Sequence, residues 1–379
     1  MLEYHIYIME GNLIHINRGL LPLAWIYGFV VGLRNKLFDC GILESRSYPI
    51  PTISVGNLTV GGTGKTPHIE YLIRLLGKKY QVAVLSRGYK RESKGYVLAN
   101  VDTPMEEIGD EPWQMKQKFP DVRVAVDSNR RRGIERLLSE KETSCTEVIL
   151  LDDAFQHRHI KPGCNILLID YSRMITLDEL IPAGRLREPY SGKERADIVI
   201  VTKCPQDLQP IDYRMVEEGL RLRPYQELFF SGIRYGNLVN MTGDRMMYLK
   251  ELKWHNILLL TGIGNPHLME TDMKSYARSV EAMAFSDHHR FTHEDIIQIS
   301  SRLGTMPEDS IIVTTEKDIA RLMNRTDIPQ ALGARIWVIP IQIKILQDKQ
   351  TFFNDNITGY VQENSRNHRM AESQDDKQA

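Results

Sequence analysis

Cysteine is scarce in this chain, with 4 among 379 residues. Cys40, Cys145, Cys164 and Cys204 form no C-x-x-C pair, and no group of histidine and cysteine has the spacing of a zinc site. The sequence therefore gives no sign of a disulfide framework or a structural zinc ion. Free thiols in this number indicate a reduced compartment.

A large net charge is also missing. Lysine and arginine number 48 against 49 acidic residues, which leaves a formal net charge of −1. Such a balance produces no overall field that would attract nucleic acid. We therefore expect no nucleic-acid partner, and no obligate protein partner is evident. The hydrophobic fraction of 42% is ample for a core, and the length favours two domains.

A membrane-spanning helix is poorly indicated by the apolar run Gly19–Leu33, which is shorter than the ~20 residues that a span needs. The run contains Trp25 and Tyr27 and is followed by Arg34. This combination is typical of a helix that lies in the membrane interface. We therefore predict that residues 1–45 form a helical region with peripheral or single-anchor membrane contact. A buried core helix is the alternative.

Short aliphatic and β-branched runs alternate with helical segments along most of the chain. Continuous apolar runs of this length are typical of strands that are buried on both faces of a parallel sheet. The predicted strands are Thr52–Val55, Gln81–Leu85, Val122–Val126, Val148–Leu151, Ile166–Ile169, Ile198–Val201, Ile257–Leu260, Ile311–Val313 and Ile336–Ile339. The alternation predicts an α/β fold with a mainly parallel sheet flanked by helices.

The segment Gln226–Leu249 departs from this pattern, because its residues partly alternate in polarity and glycines stand at turn-like places. We predict that it forms a β-hairpin or strand pair between two domains. The larger domain spans 46–225, and a second, smaller α/β domain spans 226–354. The polar segment 355–379 can bury little apolar surface and is predicted to be a disordered tail.

The strongest motif is GNLTVGGTGKTP at Gly56–Pro67, which lies between a predicted strand and a predicted helix. It is a variant phosphate loop, since Thr59 stands where the strict pattern has its first glycine. Glycines let backbone N–H groups converge on phosphate oxygens, and the helix N-terminus adds partial positive charge. Lys65 is expected to reach the β- and γ-phosphates, and the Thr66 hydroxyl to ligate Mg²⁺. The predicted nucleotide-binding residues of this P-loop NTPase-type domain are Gly61, Gly62, Thr63, Gly64, Lys65 and Thr66.

Two adjacent acids complete the predicted metal site. The hydrophobic run EVILL ends in Asp152 and Asp153, and an acid at the carboxyl end of a parallel strand faces the phosphate crevice. One aspartate would hold Mg²⁺ or its water, and the other would order the site. A solvated Asp-Asp turn is the alternative.

Other nucleotide-binding classes fit the sequence less well. A guanine-specific GTPase would carry [NT]-K-x-D after a strand, but VTKCP has Pro205 in place of the aspartate, and TTEKD at Thr314–Asp318 has its lysine one place late. A membrane-partitioning ATPase carries an extra lysine early in its loop, where Val60 stands here. Protein-kinase signatures such as H-R-D are absent. The sequence therefore favours ATP over GTP.

The chain resembles the tetraacyldisaccharide 4'-kinase family, the lipid A 4'-kinases, from about Trp25 to Lys344. The agreeing segments, in this order, are PTISVGNLTVGGTGKTP, LSRGYKR, GDEP, LDDAFQH, PAGRLREP, VTKCP and SDHHRFT. The resemblance implies two α/β/α domains joined by a two-stranded linker. It also implies transfer of the γ-phosphate of Mg-ATP to the 4'-hydroxyl of a tetraacyl glucosamine disaccharide 1-phosphate. The resemblance further implies that the enzyme acts at the cytoplasmic face of the bacterial inner membrane.

The resemblance also assigns roles to individual side chains. Asp110 of GDEP and His288 of SDHHRFT match a catalytic pair in which the aspartate accepts the proton and the imidazole orients it. By the same resemblance, Glu188 matches an acid near the metal, and Arg187 matches an arginine close to the nucleotide phosphates. Lys65 counts among the catalytic residues. The residues alone would not choose between His288 and His289.

Two small departures from the family pattern stand beside the site. Ala154 follows the aspartate pair where the family usually has glycine, and Lys90 follows Tyr89 where glycine is common. Neither departure removes a chemical group.

Two other functions remain open on the residues alone. One is a P-loop ATPase switch, which would need no acceptor machinery. The other is an ATP-dependent ligase of the dethiobiotin-synthetase type, whose small soluble acceptor would leave the apolar run Gly19–Leu33 without a purpose.

Overall fold

The computed structural model describes residues 16–263, 266–286, 289–323, 325 and 327–375, with 366–375 described by their backbone alone. These residues form two compact units. The first unit comprises the chain up to Gly232 and the segment from Ile343 onward, and the second comprises Ile233–Gln342. The chain therefore leaves the first unit and later returns to it.

The strands and helices are numbered through the whole chain. The strands are β1 (Thr52–Asn57), β2 (Val82–Ser86), β3 (Val97–Ala99), β4 (Arg123–Val126), β5 (Val148–Asp152), β6 (Cys164–Asp170), β7 (Ile198–Thr202), β8 (Glu227–Tyr235), β9 (Leu238–Asn240), β10 (Met246–Met247), β11 (Asn256–Thr261), β12 (Ser279–Ala284), β13 (Ile311–Thr315), β14 (Ile336–Ile339) and β15 (Ile341–Ile345). The helices are α1 (Leu21–Asp39), α2 (Lys65–Leu76), α3 (Met105–Ile108), α4 (Asp110–Lys118), α5 (Arg130–Ser139), α6 (Pro210–Leu220), α7 (His267–Tyr276), α8 (His293–Gly304), α9 (Glu316–Met323), α10 (Gln330–Gly333) and α11 (Gln350–Asp375). Short 3-10 turns span Arg18–Leu20, Tyr190–Arg195 and Leu249–Trp254.

The first unit is built on a sheet with the strand order β15-β8-β7-β6-β1-β5-β2-β4-β3. The central pairs are parallel, and the short strand β3 at the edge pairs antiparallel with β4. Helix α2 packs Leu72 on one face of the sheet, while α5 packs Ile134 on the other. Because both faces are covered, the strands read as continuous apolar runs. The predicted α/β fold with a mainly parallel sheet is confirmed.

Three neighbouring parallel strands deliver the polar residues of the site to one edge of this sheet. Val55 of β1 pairs with Asp152 of β5, and Leu85 of β2 pairs with Leu151 of β5. The phosphate loop follows β1, and Asp153 follows β5. Parallel register therefore places the phosphate loop, the two aspartates and Ser86 side by side at the carboxyl ends of the strands.

The segment from Asp355, which the sequence predicted to be a disordered tail, is a helix over the described part of 355–379. In α11, Phe353, Ile357 and Val361 are buried in the core of the first unit. The Tyr360 hydroxyl also accepts a hydrogen bond from the backbone N–H of Thr52, at 3.2 Å. The prediction was wrong because one apolar residue per helical turn is a weak signal in an otherwise polar segment.

The second unit has a sheet with the order β10-β9-β14-β13-β11-β12. Strands β11, β12, β13 and β14 are parallel to their neighbours in this group, and β9 is antiparallel to both β14 and β10. The segment Gln226–Leu249 is therefore not a single hairpin. Strand β8 pairs in parallel with β7 in the first sheet, whereas β9 and β10 of this segment pair with each other in antiparallel orientation in the second sheet. Strands β8 and β15 each cross the boundary between the two units.

Helix α1 turns its apolar side outward. Only Ala24 and Phe38 of its described residues are buried, which excludes the buried core helix. Six large apolar side chains, which we call the α1 apolar face, are between 50% and 72% exposed: Leu23, Trp25, Ile26, Phe29, Val30 and Leu33. No helix in the described part of the chain has the length and hydropathy of a membrane span.

Candidate active site

The phosphate loop connects the end of β1 to the first turn of α2. Gly61 has a φ of +116° and Gly64, the N-cap of α2, has a φ of +84°. Both values lie in the region where side chains are strained, so glycine is required at these two turns. Helix α2 begins at Lys65, which places Thr66 in its first turn, where free N–H groups and the helix dipole favour an anion.

Lys65 and Arg187 both approach the same carboxylate. Lys65 Nζ lies 3.5 Å from Asp153 Oδ1, and Arg187 Nη1 lies 3.4 Å from Asp153 Oδ2. Burial alone would raise the pKa of Asp153, but the charges of Lys65 and Arg187 outweigh it and hold that pKa below its usual value. The structure therefore keeps Asp153 ionised beside the phosphate loop.

Asp152 is more deeply buried than its neighbour. Its Oδ2 accepts a hydrogen bond from the Ser86 hydroxyl at 2.8 Å, and its backbone carbonyl accepts one from Arg130 Nη2 at 3.0 Å. Burial raises the pKa of the Asp152 carboxyl, and the charges of Glu111 and Asp153 raise it further. Without a cation, this carboxylate is therefore held at an energetic cost.

Asp110 stands at the start of α4, directly after Gly109. Gly109 has a φ of +92° and a ψ of 159°, a conformation that essentially only glycine adopts. A Cβ atom at Gly109 would lie 2.9 Å from the Tyr89 carbonyl oxygen, so this turn packs against the loop that follows β2. The structure thus brings the GDEP turn to the same strand edge as the phosphate loop.

His288, the predicted partner of Asp110, lies outside the described residues. Its neighbour His289 is described, and His289 Nε2 lies 2.7 Å from Asp295 Oδ2. Asp295 also accepts a hydrogen bond from the N–H of Thr292 in the capping box of α8. His289 is therefore held by the N-terminus of α8, the helix that follows it.

Glu188 bonds to Arg195 and Asn35, not to its neighbour Arg187. Its Oε2 accepts hydrogen bonds from Arg195 at 2.6 Å and from Asn35 of α1 at 3.3 Å. Its Oε1 is buried and has no hydrogen-bond partner among the described side chains. The Tyr27 hydroxyl donates to the carbonyl of Arg187 at 2.8 Å, so α1 is fastened to the loop that carries both residues.

Ser86 and Arg130 support the aspartate pair, a role that the sequence did not predict. Arg130 belongs to the basic run SNRRRG, which the sequence would place either against a phosphate of the substrate or lipid or on an exposed helix face, yet its side chain is buried. Its guanidinium donates to two backbone carbonyls, those of Asp127 and Asp152. The one available signal was the position of Ser86 at the end of a strand that neighbours β5.

A cavity of about 690 Å³ lies elsewhere in the first unit. It is lined by residues near the end of α1, the start of β1 and helix α11, including Phe38, Thr52 and Tyr360. None of the predicted catalytic, nucleotide-binding or metal-binding residues lines it. The candidate active site is therefore the open strand edge and not this cavity.

A parallel sheet covered on both faces, a glycine-bounded loop that opens a helix and an aspartate pair on the adjacent strand define a phosphate-loop nucleotide-binding protein. Comparison with known proteins narrows this class. The model of the tetraacyldisaccharide-1-P 4'-kinase family, LpxK, matches residues 16–360. The chain belongs to this family.

Individual relatives agree with the family match. The chain is 56% identical over 362 residues to the tetraacyldisaccharide 4'-kinase of Phocaeicola vulgatus, a match that covers 95% of this chain and 99% of the relative. It is 52% identical to the enzyme of the same name from Bacteroides thetaiotaomicron, with 98% and 100% covered. The crystal structure of LpxK from Aquifex aeolicus in complex with ATP superposes with a TM-score of 0.70 at 29% identity, covering 91% of this chain and 99% of that one.

Proposed function

We propose that this protein transfers the γ-phosphate of ATP to the 4'-hydroxyl of a tetraacyldisaccharide 1-phosphate, forming the 1,4'-bisphosphate of lipid A synthesis. The observation that carries the proposal is the shared strand edge. A phosphate loop and an ionised Asp153 lie there, and the GDEP turn, which begins with Gly109, packs against the loop after the neighbouring strand β2, in a chain of the tetraacyldisaccharide-1-P 4'-kinase family. The same membership argues against an ATPase switch or a ligase.

The nucleotide would bind along the phosphate loop. The amide groups from Gly61 to Thr66 surround the phosphates, and Lys65 leaves its ion pair with Asp153 for the β- and γ-oxygens. Arg187 approaches the same carboxylate from another loop and is placed to neutralise charge on the transferred group. ATP use is supported by the related LpxK from Aquifex aeolicus, whose structure was solved in complex with ATP.

The residues present also fit a magnesium ion. Asp152 Oδ1 is buried and accepts no hydrogen bond from any described group, which suits an oxygen that faces a cation. No set of three or more His, Cys, Asp or Glu in the described part of the chain could hold a metal alone. Mg²⁺ needs no such set, because it keeps waters and takes phosphate oxygens. Asp152, Asp153 and Thr66 would hold it, with Glu188 as a further predicted ligand. The ion would neutralise phosphate charge in the transition state.

Asp110 would act on the acceptor. Its carboxylate accepts the proton of the 4'-hydroxyl while that oxygen bonds to the γ-phosphorus. The bond from the γ-phosphorus to the bridging oxygen breaks, and ADP leaves with that electron pair. His288 remains the predicted partner that orients Asp110.

The α1 apolar face supports contact with a membrane close to the candidate active site. The opposite side of α1 buries Ala24 and Phe38 and bonds to the site loops through Tyr27, Arg34 and Asn35. Large apolar side chains at helical spacing, turned toward solvent, are typical of a helix that lies in the membrane interface. We therefore propose that the protein docks on the cytoplasmic face of the bacterial inner membrane through this helix.

Product mass tests the proposed reaction. The purified protein is incubated with Mg-ATP and the tetraacyldisaccharide 1-phosphate, and the lipid is analysed by mass spectrometry. We expect one added phosphate, and we expect Lys65→Met to lose most of the activity because the γ-phosphate loses its cation. Unchanged lipid with the wild-type protein, or equal product with Lys65→Met, would refute the proposal.

A further inference from the structure

The carbonyl groups of the phosphate loop are held from outside the loop. Thr202, the last residue of β7, donates its hydroxyl proton to the Thr63 carbonyl at 2.9 Å, the shorter of two possible bonds, since the Ile169 carbonyl lies at 3.3 Å. The next residue, Lys203, donates from Nζ to the Gly62 carbonyl and, at 2.8 Å, to Asp170 Oδ2. Thr202 is fully buried, so water does not compete for its hydrogen bond.

The next carbonyl of the loop is held by a histidine. His68 Nδ1 lies 2.7 Å from the Gly64 carbonyl oxygen, and its Nε2 lies 3.0 Å from the Ser231 hydroxyl. The backbone N–H of His68 donates to the same carbonyl over a longer distance, 3.3 Å. A carbonyl can only accept, so Nδ1 carries the hydrogen. The ring is buried, and the Ser231 hydroxyl is placed to donate to Nε2. Asn57 adds a longer bond, from Nδ2 to the Gly61 carbonyl at 3.4 Å.

Because the peptide unit is planar, a hydrogen bond that fixes a carbonyl group also fixes the direction of the N–H group of the next residue. In a trans peptide the C=O of one residue and the N–H of the next are fixed in opposite directions. Holding the carbonyls of Gly62, Thr63 and Gly64 therefore fixes the N–H groups of Thr63, Gly64 and Lys65. These are the N–H groups that a phosphate loop offers to its nucleotide.

We propose that Thr202, Lys203 and His68 are positioning residues for ATP: they hold three successive carbonyls of the loop outward so that three successive amides point at the phosphates. The inference rests on the proposed function, because it requires that the loop binds ATP. It also gives a purpose to VTKCP, which lacks the aspartate needed to recognise guanine. In this chain its threonine and lysine support the loop instead.

Pre-aimed amides have a defined kinetic consequence. They contact the phosphates equally before and during transfer, so their loss weakens ATP binding without a matching loss of turnover at saturation. Thr202→Val removes one hydroxyl at nearly constant volume and should raise the Kd and KM for ATP about three- to tenfold, the range for one lost hydrogen bond. The kcat at saturating ATP should stay within about threefold of wild type.

His68 provides a matched pair. His68→Leu removes the donor and should raise the Kd for ATP about tenfold, while His68→Asn keeps an N–H near the Nδ1 position and should remain within about threefold. Thr314→Val in the second unit is the control for the valine substitution, because Thr314 Oγ1 is buried and bonds to no group that the structure describes. Its Kd for ATP should equal that of the wild type.

Calorimetric titration with Mg-ATP, steady-state kinetics and thermal unfolding are run on all four variants. The inference is supported if Thr202→Val and His68→Leu weaken ATP binding while His68→Asn and Thr314→Val do not. It is overturned if Thr202→Val binds ATP like the wild type, or if kcat falls with KM unchanged. If His68→Leu does not fold, the ATP binding of Thr202→Val alone decides whether the inference holds. Failure of the wild-type protein to bind ATP would instead refute the proposed function.

Discussion

At the scale of single residues, the site is governed by how charge is compensated. Asp153 has two cations and stays ionised, whereas Asp152 has a serine hydroxyl, a buried position and two acidic neighbours that raise its pKa. The two aspartates differ in this way although they are adjacent in sequence. The difference suits a site in which Asp153 positions Lys65 and Arg187 while Asp152 is available to bind a metal ion.

The burial of the neutral His68 ring can be tested through the pH dependence of stability. Its pKa is about 4 in the folded protein and about 6.5 in an unfolded chain. Between these values the unfolded state binds one more proton, so the free energy of unfolding rises with pH by about 1.4 kcal/mol per unit from this group. The stability is present above about pH 6.5 and is lost as the pH falls toward 4.

We expect His68→Asn to remove this part of the slope when urea unfolding is measured between pH 4.5 and 6. His157, whose pKa burial also lowers to about 4, retains its own share in the variant. A slope equal to that of the wild type would show that His68 is not buried as a neutral ring.

At the scale of elements, short turns decide where the site residues point. Gly109 separates α3 from α4, and a Cβ atom at this position would meet the Tyr89 carbonyl oxygen at 2.9 Å. Lys90, in the adjoining turn, has a φ of +58°, a left-handed conformation that favours glycine. Glycine is common at this position in the family. The turn before Asp110 is thus tightly determined by the backbone.

Gly109→Ala should therefore lower turnover at least about tenfold, because both the backbone conformation and the clash force the start of α4 to move. Gly243→Ala is the matched control, with a φ of +81° but open space around the added methyl group. It should cost a similar order of stability from φ alone, about 1 kcal/mol, and leave turnover unchanged. Equal turnover in Gly109→Ala and the wild type would contradict the placement of Asp110.

Helix α1 gives a second prediction at this scale. Phe29 is 72% exposed, so Phe29→Glu should leave folding stability unchanged. It should reduce co-flotation with phosphatidylethanolamine–phosphatidylglycerol vesicles at least about tenfold, since insertion of the ring is lost and a charge is added.

Ile211→Glu, on α6, is the control for this helix, because Ile211 is also exposed, at 56%. It should float like the wild type. If Phe29→Glu also floats like the wild type, the α1 apolar face is not the membrane contact.

The elements differ in how well the sequence predicts them. The strands around the phosphate loop were predicted to within two residues, since they are buried on both faces and read as continuous apolar runs. The sequence did not predict β3 or β15, which are a short edge strand and a strand of alternating exposure. Neither produces a continuous apolar run.

The site was predictable where its residues adjoin a motif. Lys65, Thr66 and the aspartate pair follow from the loop and the neighbouring strand alone. Thr202 and Lys203 were not predictable as loop supports, because they contact the loop only through the fold; Lys203 bonds a carbonyl 141 positions away. His68 lies only four positions from Gly64, but the sequence does not show that its side chain turns back to that carbonyl. His288 rests on family resemblance alone.

At the scale of the whole molecule, the chain returns to its first unit after completing the second. Helix α11 follows β15 and buries Phe353, Ile357 and Val361 in the core around β1 and β6. The C-terminal segment therefore contributes to the stability of the nucleotide-binding unit, although it is far from the phosphate loop in sequence.

Ile357→Ala should lower the free energy of unfolding by about 2–5 kcal/mol, the cost of truncating a fully buried isoleucine. Gln362→Ala, an exposed position on the same helix, should stay within about 0.5 kcal/mol of the wild type. Urea unfolding followed by circular dichroism distinguishes the two. A loss below about 1 kcal/mol for Ile357→Ala would show that α11 is not part of the core.

The central claim is that the phosphate loop holds ATP while Asp110 readies the sugar hydroxyl. Its most direct test is Asp110→Asn, measured by calorimetric titration with Mg-ATP and by single-turnover transfer to the tetraacyldisaccharide 1-phosphate. We predict an ATP Kd within about threefold of wild type and a transfer rate reduced about a hundredfold or more, the scale of a lost general base. A transfer rate within tenfold of wild type would contradict the account.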